Sequence, residues 1–421
     1  MTRRRALCCG VAAVGGMFTS LLEAVPSDTP NPRAMPVAAQ SLVESAFEGI
    51  DAARVWDVHT HLLGTGDSGS GCWIHPDLSS WWHPMEALRK RVILHGAGVD
   101  GSSRRIDHDY VDRLAALAAD FPAGARWLLF AFDHAHDDRG FLAPSSTTFH
   151  VPDAWAAHIA HDHGDRFGWV ASIHPYHDDA LARLTRAIAQ GTAAVKWLPS
   201  AMNIDLRDPR CLPFYEKLAC ARVPLIVHAG EEKAVPGAGR DDLGNPLLVR
   251  AALRHGVRVI VAHCASLGHA LDLDQRAPQE RPAFELFARL MDEPEWQGLL
   301  LGDVSALFLA NRSAAVWRTV LAREDWHPRL LHGSDYPLPC VAPLLRLAPL
   351  VRAGVLDERE VSALQALRAH NPLLFDFALK RRVGWRGAQL SAAVFHTQDH
   401  VVVSPVARTG EVRFAARETR T

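Results

Sequence analysis

Eight short apolar runs, each followed by a stretch of different periodicity, constrain this chain more than any other feature. They cover 54–59 (RVWDVH), 126–132 (RWLLFAF), 167–173 (FGWVASI), 193–198 (AAVKWL), 223–228 (VPLIVH), 257–263 (VRVIVAH), 298–304 (GLLLGDV) and 329–333 (RLLHG). Nearly all are apolar throughout rather than alternating, as a parallel strand covered on both faces requires. The intervening stretches keep a helical period. In 178–191, Leu181, Leu184 and Ile188 recur at helical spacing between Asp178 and Gly191, and 246–256 runs likewise from Pro246 to Gly256. Eight β–α units of this length predict an α/β fold of the (β/α)8 TIM-barrel type. A doubly wound open sheet would need a glycine-rich phosphate loop after the first strand. The glycine cluster there, Gly64 to Gly71, has neither the dinucleotide nor the P-loop spacing.

The flanks read differently. Arg3, Arg4 and Arg5 precede an apolar run over 6–22, the layout of an export signal, and the string TRRRAL resembles the twin-arginine pattern. The expected organisation is an export signal at 1–24, a linker at 25–52, a barrel at 53–380 and a small C-terminal extension at 381–421. In that extension AAVFHTQ, HVVVSPV and EVRFAAR read as short strands. The expected location is periplasmic or extracellular, and cytoplasmic if 1–24 is not a signal. No other run reaches about 18 apolar residues, so no further membrane span is expected. With 45 Lys plus Arg against 47 Asp plus Glu, the net charge of −2 gives no global attraction for nucleic acid. A small-molecule substrate is the expected partner, and a homo-oligomer is compatible with the sequence. The seven cysteines are odd in number and lack C-x-x-C spacing, so free thiols are expected, with Cys211–Cys220 the one bridge left open.

Histidine is the compositional outlier, at 23 copies, and it is the commonest metal ligand. A barrel builds its active site at the C-terminal ends of its strands. Read in order, those ends carry His59 and His61, Lys196, His228, His263 and Asp335. Residues i and i+2 of a strand point the same way, so His59 and His61 converge, and a divalent metal is the natural shared partner of two buried imidazoles. Weaker candidates are His134 and His136 after the second strand, Glu231 and Glu232 after the fifth, Asp303 near the end of the seventh, and Arg207. Trp73, Trp81 and Trp82, in the long insertion after the first strand, could form a wall or lid.

The strings DVHTH at 57–61, VHAG at 227–230, AHC at 262–264, GSDYP at 333–337 and NPLLFD at 371–376 resemble the amidohydrolase superfamily. The likeness is to its branch of amidohydrolase-related hydrolases and metal-dependent decarboxylases, and it spans about residues 53–380. The resemblance implies that His59, His61 and Asp335 bind a first divalent metal, with zinc preferred, and that His228 is a further ligand. It implies that His263 is either a ligand of a second ion or an acid/base, and that Lys196 matches a lysine some members carboxylate to bridge two ions. One or two ions therefore remain open. With Asp335 and His263 as catalytic groups, the implied activity is metal-assisted hydrolysis of an amide, ester or lactone. Decarboxylation of an aromatic or unsaturated acid is the same-fold alternative, and a binding barrel without catalysis is the reading from another class.

Overall fold

The protein is seen in a computed structural model that describes residues 35–401 apart from 236 and 342–343. The expected export signal lies outside the described residues, as do the runs HVVVSPV beyond Val401 and EVRFAAR.

All eight expected strands are present: β1 (Trp56–His61), β2 (Arg126–Phe130), β3 (Phe167–Val170), β4 (Val195–Trp197), β5 (Leu225–His228), β6 (Val259–Ala262), β7 (Leu300–Asp303) and β8 (Leu330–Leu331). They pair in parallel with sequence neighbours, in one arc of β1–β2–β3 and another of β4 to β8. Between the arcs there are only single parallel bridges, Ala171 with Val195 and Thr60 with Tyr336. The uninterrupted ladder of a closed barrel is therefore broken at two seams. Strands of three and two residues, as β4 and β8 are, supply little ladder to close them, and the register of β1 shifts between Asp57 and Thr60.

Successive side chains on a strand point to opposite faces, and the core divides accordingly. Val58, Leu128, Phe130, Ile226, Ile260 and Leu301 pack together in one cluster. Trp127, Leu129, Trp169, Val227 and Val261 join the larger one, which includes the helices. Two-sided burial is why the strands read as uniformly apolar. Each fully buried Ile or Leu stabilises by roughly 1.5–3 kcal/mol.

The helices form with shifted ends, and in the first of them the buried face is turned from the expected one, leaving Leu181 exposed. The 178–191 stretch is helical over Ala180–Ala189, burying Ala180, Leu184 and Ala187. Within 246–256, Asn245 caps a 3-10 turn, Pro246–Val249, by accepting from Leu247 N, and one α turn, Arg250–Leu253, follows. Part of the expected linker is ordered: Val37–Ala46 is a helix that buries Ala39, Leu42 and Ala46. Phe47 just beyond it stacks on Phe377 at 4.4 Å.

The extension differs from expectation as well. AAVFHTQ is not a strand but a helical turn, Ala392–Phe395. Val394 O accepts from His332 N at 2.7 Å, next to β8, and Thr397 Oγ1 accepts from Trp56 N at 2.8 Å at the start of β1. Val401 belongs to the inner strand cluster. Apolar side chains at 394 and 395 are thus used to cover the floor beneath the strands, and that packing overrides β propensity. The five cysteines among the described residues are free. No helix among the described residues is long and apolar enough to cross a membrane.

Candidate metal centre

The residues at the strand ends meet around one carboxylate. Asp335, in the turn after β8, is 2 % exposed. Its Oδ1 lies 3.0 Å from His61 Nε2 and 3.5 Å from His59 Nε2, and its Oδ2 lies 3.9 Å from His263 Nε2. One ligating atom each from His59, His263 and Asp335 falls within 4.8 Å of the others, a set that could hold an ion. Two nitrogens and a carboxylate oxygen suit zinc, iron or manganese.

Why these atoms face one another is legible one layer out. His59 Nδ1 donates to Asp303 Oδ2 at 2.9 Å, and His263 Nδ1 donates to Ser305 O at 3.0 Å. With both Nδ1 protons committed, each ring presents its Nε2 lone pair toward Asp335, the arrangement that orients histidine ligands in metal sites. Asp303 Oδ1 also accepts from the backbone N–H groups of His263 and Ser305, and from the Ser305 hydroxyl. Burial holds the pKa values of His59 and His263 well below the ordinary histidine range, so both stay neutral and able to bind a cation.

The backbone is bent to fit. His263, Cys264, Ala265 and Asp335 all have left-handed φ, between 49° and 60°. Each such non-glycine residue costs about 1–3 kcal/mol, and such strain collects at functional sites. Asp57 Oδ1 accepts from His59 N at 3.0 Å and Ser334 N at 2.9 Å, tying β1 to the turn that carries Asp335. Burial pushes the Asp57 carboxyl up to about 7. Gly333 has no tolerable replacement here, because a Cβ would sit 2.7 Å from His59 Cβ.

Three expected ligands stand outside the compact set: His61, whose Nε2 faces Asp335 Oδ1 at 3.0 Å, His228 and Lys196. The His228 ring is 5.3 Å from that of His263, and its Nε2 is 3.2 Å from Glu232 Oε2. Lys196 is 2 % exposed, and its Nζ has no hydrogen-bond partner and lies 5.1 Å from the centre of the Phe130 ring. Burial lowers the Lys196 pKa to about 8, against opposing pulls from Asp303, Asp335 and Glu232.

Above this centre opens a cavity of about 290 Å³. His59, His61, Lys196, His228, His263 and Asp335 all line it. Its walls are apolar. A two-stranded ribbon pairs Ile74 with Phe149, joining the insertions after β1 and β2, and both side chains reach the cavity. Ile93 and Leu94, on the helix Pro84–Gly96, line it as well. Glu231 and Glu232 face it, in line with their weaker candidacy, whereas Arg207 pairs with Asp205 outside it. Of the three insertion tryptophans, Trp81 and Trp82 lie 3.6 Å apart, 74 % and 72 % exposed, and none of the three lines the cavity. His134 stacks on His150 at 4.0 Å, and His136 packs against His174 and His177.

The amidohydrolase family matches residues 56–353, and the chain belongs to that family. It is a metal-dependent enzyme of the amidohydrolase superfamily. Among solved structures it is similar to an uncharacterised TIM-barrel protein of Bordetella bronchiseptica, at TM-score 0.45 and 16% identity, over 71% of this chain and 99% of that one. It is also similar to the IDCase of Metarhizium anisopliae, at TM-score 0.42 and 14% identity, over 76% and 98%. A 2,6-dihydroxybenzoate decarboxylase matches at TM-score 0.40 and 14% identity, over 71% and 98%. No curated protein matches the chain.

Proposed function

We propose that this amidohydrolase is a hydrolase that uses one divalent ion, zinc by preference, to bring water to the carbonyl of a small amide, ester or lactone. The carrying observation is the convergence of the His59, His61 and His263 Nε2 atoms on the Asp335 carboxylate. A bound zinc ion would lower the pKa of water to about 7 and polarise the carbonyl. His59, His263 and Asp335 would hold it. We read one ion rather than a bridged pair, because Lys196 Nζ lies outside the compact donor set and hydrogen-bonds none of its members.

Asp335 is the group placed to accept a proton from water and return it to the leaving group. His61 Nε2, 3.0 Å from Asp335 Oδ1, steadies that carboxylate. His263 has its proton tied to Ser305 and offers a lone pair, which suits a ligand better than an oxyanion donor. Lys196 is the cation available to a developing negative charge, since its Nζ reaches the cavity without a partner.

The same Lys196 favours the second reading. An unpaired ammonium in an apolar cavity could hold the carboxylate of an acid undergoing C–C cleavage. One assay separates the two. The zinc- and manganese-loaded protein is given aryl esters, lactones and N-acyl amines in one series and hydroxybenzoates in another. Acid release is followed by pH-stat and carbon dioxide by gas analysis. Hydrolysis without carbon dioxide supports the proposal. Carbon dioxide release with no hydrolysis overturns it in favour of the lyase.

A further inference from the structure

We propose that Arg312 forms an anion subsite on the wall of this cavity, so that the substrate carries a carboxylate joined by a short apolar body to its reacting group. This deepens the proposed function and rests on it for the identity of the reacting end alone. Lys196, at the reacting end, faces the cavity without a partner, and the cations away from that end are mostly held. Arg89 is paired with Glu86 at 2.9 Å and Lys233 with Glu231 at 3.3 Å, while Lys90 donates to Ser79 Oγ at 2.7 Å. Arg312 lines the same cavity, half-buried, with no carboxylate in ion-pair reach among the described residues. Its Nε donates to Ser266 Oγ at 3.1 Å and one terminal nitrogen to Asn311 Oδ1 at 2.7 Å, leaving the other terminal nitrogen without a partner among the described residues.

The contrast with other sheltered arginines sharpens the point. Arg250 is held by Asp274 and Glu293, and Arg289 by Asp272 and Asp274. Arg318 and Arg368 lack a carboxylate, but each donates to a backbone carbonyl and lies over an aromatic ring. Arg312 has neither a carboxylate nor a ring. Three carboxylates on the cavity act on it from beyond ion-pair reach, Asp335 most strongly, and each faces another group: Asp335 the converging histidines, Glu231 Lys233, and Glu232 His228. Sheltering a guanidinium from water without a counter-charge is costly, and the missing partner here faces an open, substrate-sized space. The planar fork of arginine matches a carboxylate in two parallel hydrogen bonds.

Its position sets the size of the ligand. Ser266, which fixes Arg312 through Nε, donates its own N–H to His263 O at 3.0 Å. The left-handed turn 263–265 therefore links the guanidinium rigidly to one of the three converging donors. Arg312 also lies near enough to Asp335 to feel its charge more than that of any other carboxylate, so the anchored ligand needs only a short spacer.

The test is calorimetric binding of 3-phenylpropionate and of its uncharged analogue 3-phenylpropan-1-ol, to the zinc-loaded protein and again after chelation. The wild type should prefer the acid at least ten-fold in both states. In Arg312→Met the acid should lose ten-fold or more and the alcohol less than two-fold. Arg312→Lys, which keeps the charge and loses the fork, should fall between them. Circular dichroism identifies any variant that has not folded, and in that case Ser266→Ala, which frees the guanidinium, should still reduce the acid preference several-fold. An acid preference that survives in Arg312→Met, that is absent in the wild type, or that disappears with the metal overturns the proposal. If the preference obeys Arg312 while the protein turns over nothing, the anion subsite stands and the hydrolase reading falls.

Discussion

Two groups of histidines gather at the C-terminal ends of the strands, and they are wired in opposite ways. Around Asp335, the Nδ1 atoms of His59 and His263 are committed to Asp303 and Ser305, and their Nε2 atoms are left to share one carboxylate. Around Asp133, the acceptor is itself saturated. It takes backbone N–H groups from His134 and His174, each at 2.8 Å, and His177 Nε2 at 2.9 Å. His174 Nε2 is spent on Met202 O at 2.8 Å. The second group holds loops together, and the first presents free lone pairs to a cavity. Counting imidazoles would not separate the two. The deciding feature is whether second partners capture the ring nitrogens one way or the other.

Matched substitutions should affect the two groups in opposite ways. Asp335→Asn should lower turnover by about 10³-fold or more, because it removes the base, while the thermal midpoint moves little. Asp133→Asn should do the reverse. Leaving three donors on a poorer acceptor should cost about 2–4 kcal/mol of stability, with metal content unchanged. Turnover lost in Asp133→Asn without loss of stability would erase the distinction.

Acid sharpens it further. Burial, reinforced by His136, lowers the His174 pKa to about 3, and burial, reinforced by His150, lowers that of His134 to about 4. Both values lie below the unfolded value of about 6.5, so in acid the unfolded chain binds the extra protons. This contribution to stability is complete above about pH 6.5 and is lost as the pH falls toward 3–4. For His174 alone the loss by pH 5 is roughly 2 kcal/mol. Urea midpoints at pH 7 and pH 5 should therefore diverge less in His174→Gln than in the wild type. Equal divergence would show that the second group is not held neutral by burial.

The smallest effect belongs to the surface. Trp82→Ser removes a side chain that is 72 % exposed and does not line the cavity, so stability should change by less than about 0.5 kcal/mol. A large loss of activity in that variant would return the tryptophans to the lid role their sequence position suggested.

The strands were legible because two-sided burial writes itself into sequence as uniform apolar runs. The polar residues that end those runs, His59, His61, His228, His263 and Asp335, were legible for the same reason: a charged or imidazole side chain at the end of a buried strand has to be accounted for. What could not be read is partnership across the fold. Asp303 stood as a weak candidate at the end of GLLLGDV, yet it fixes His59 from 244 residues away and also holds the His263 backbone. Ser305 and Arg312 carry no local pattern at all, and their meaning comes from the atoms they face. The helical turn at Ala392–Phe395 was misread because its apolar residues answer to the strand floor rather than to their neighbours in sequence.

On this geometry the Asp335 group, and not the Asp133 group, holds the metal. Elemental analysis of the wild type, His59→Ala, Lys196→Met and His177→Ala, each purified without chelator and with bicarbonate present, tests it directly. About one equivalent per chain is expected in the wild type, Lys196→Met and His177→Ala, and at least ten-fold less in His59→Ala. Metal that survives in His59→Ala and disappears in His177→Ala would contradict it.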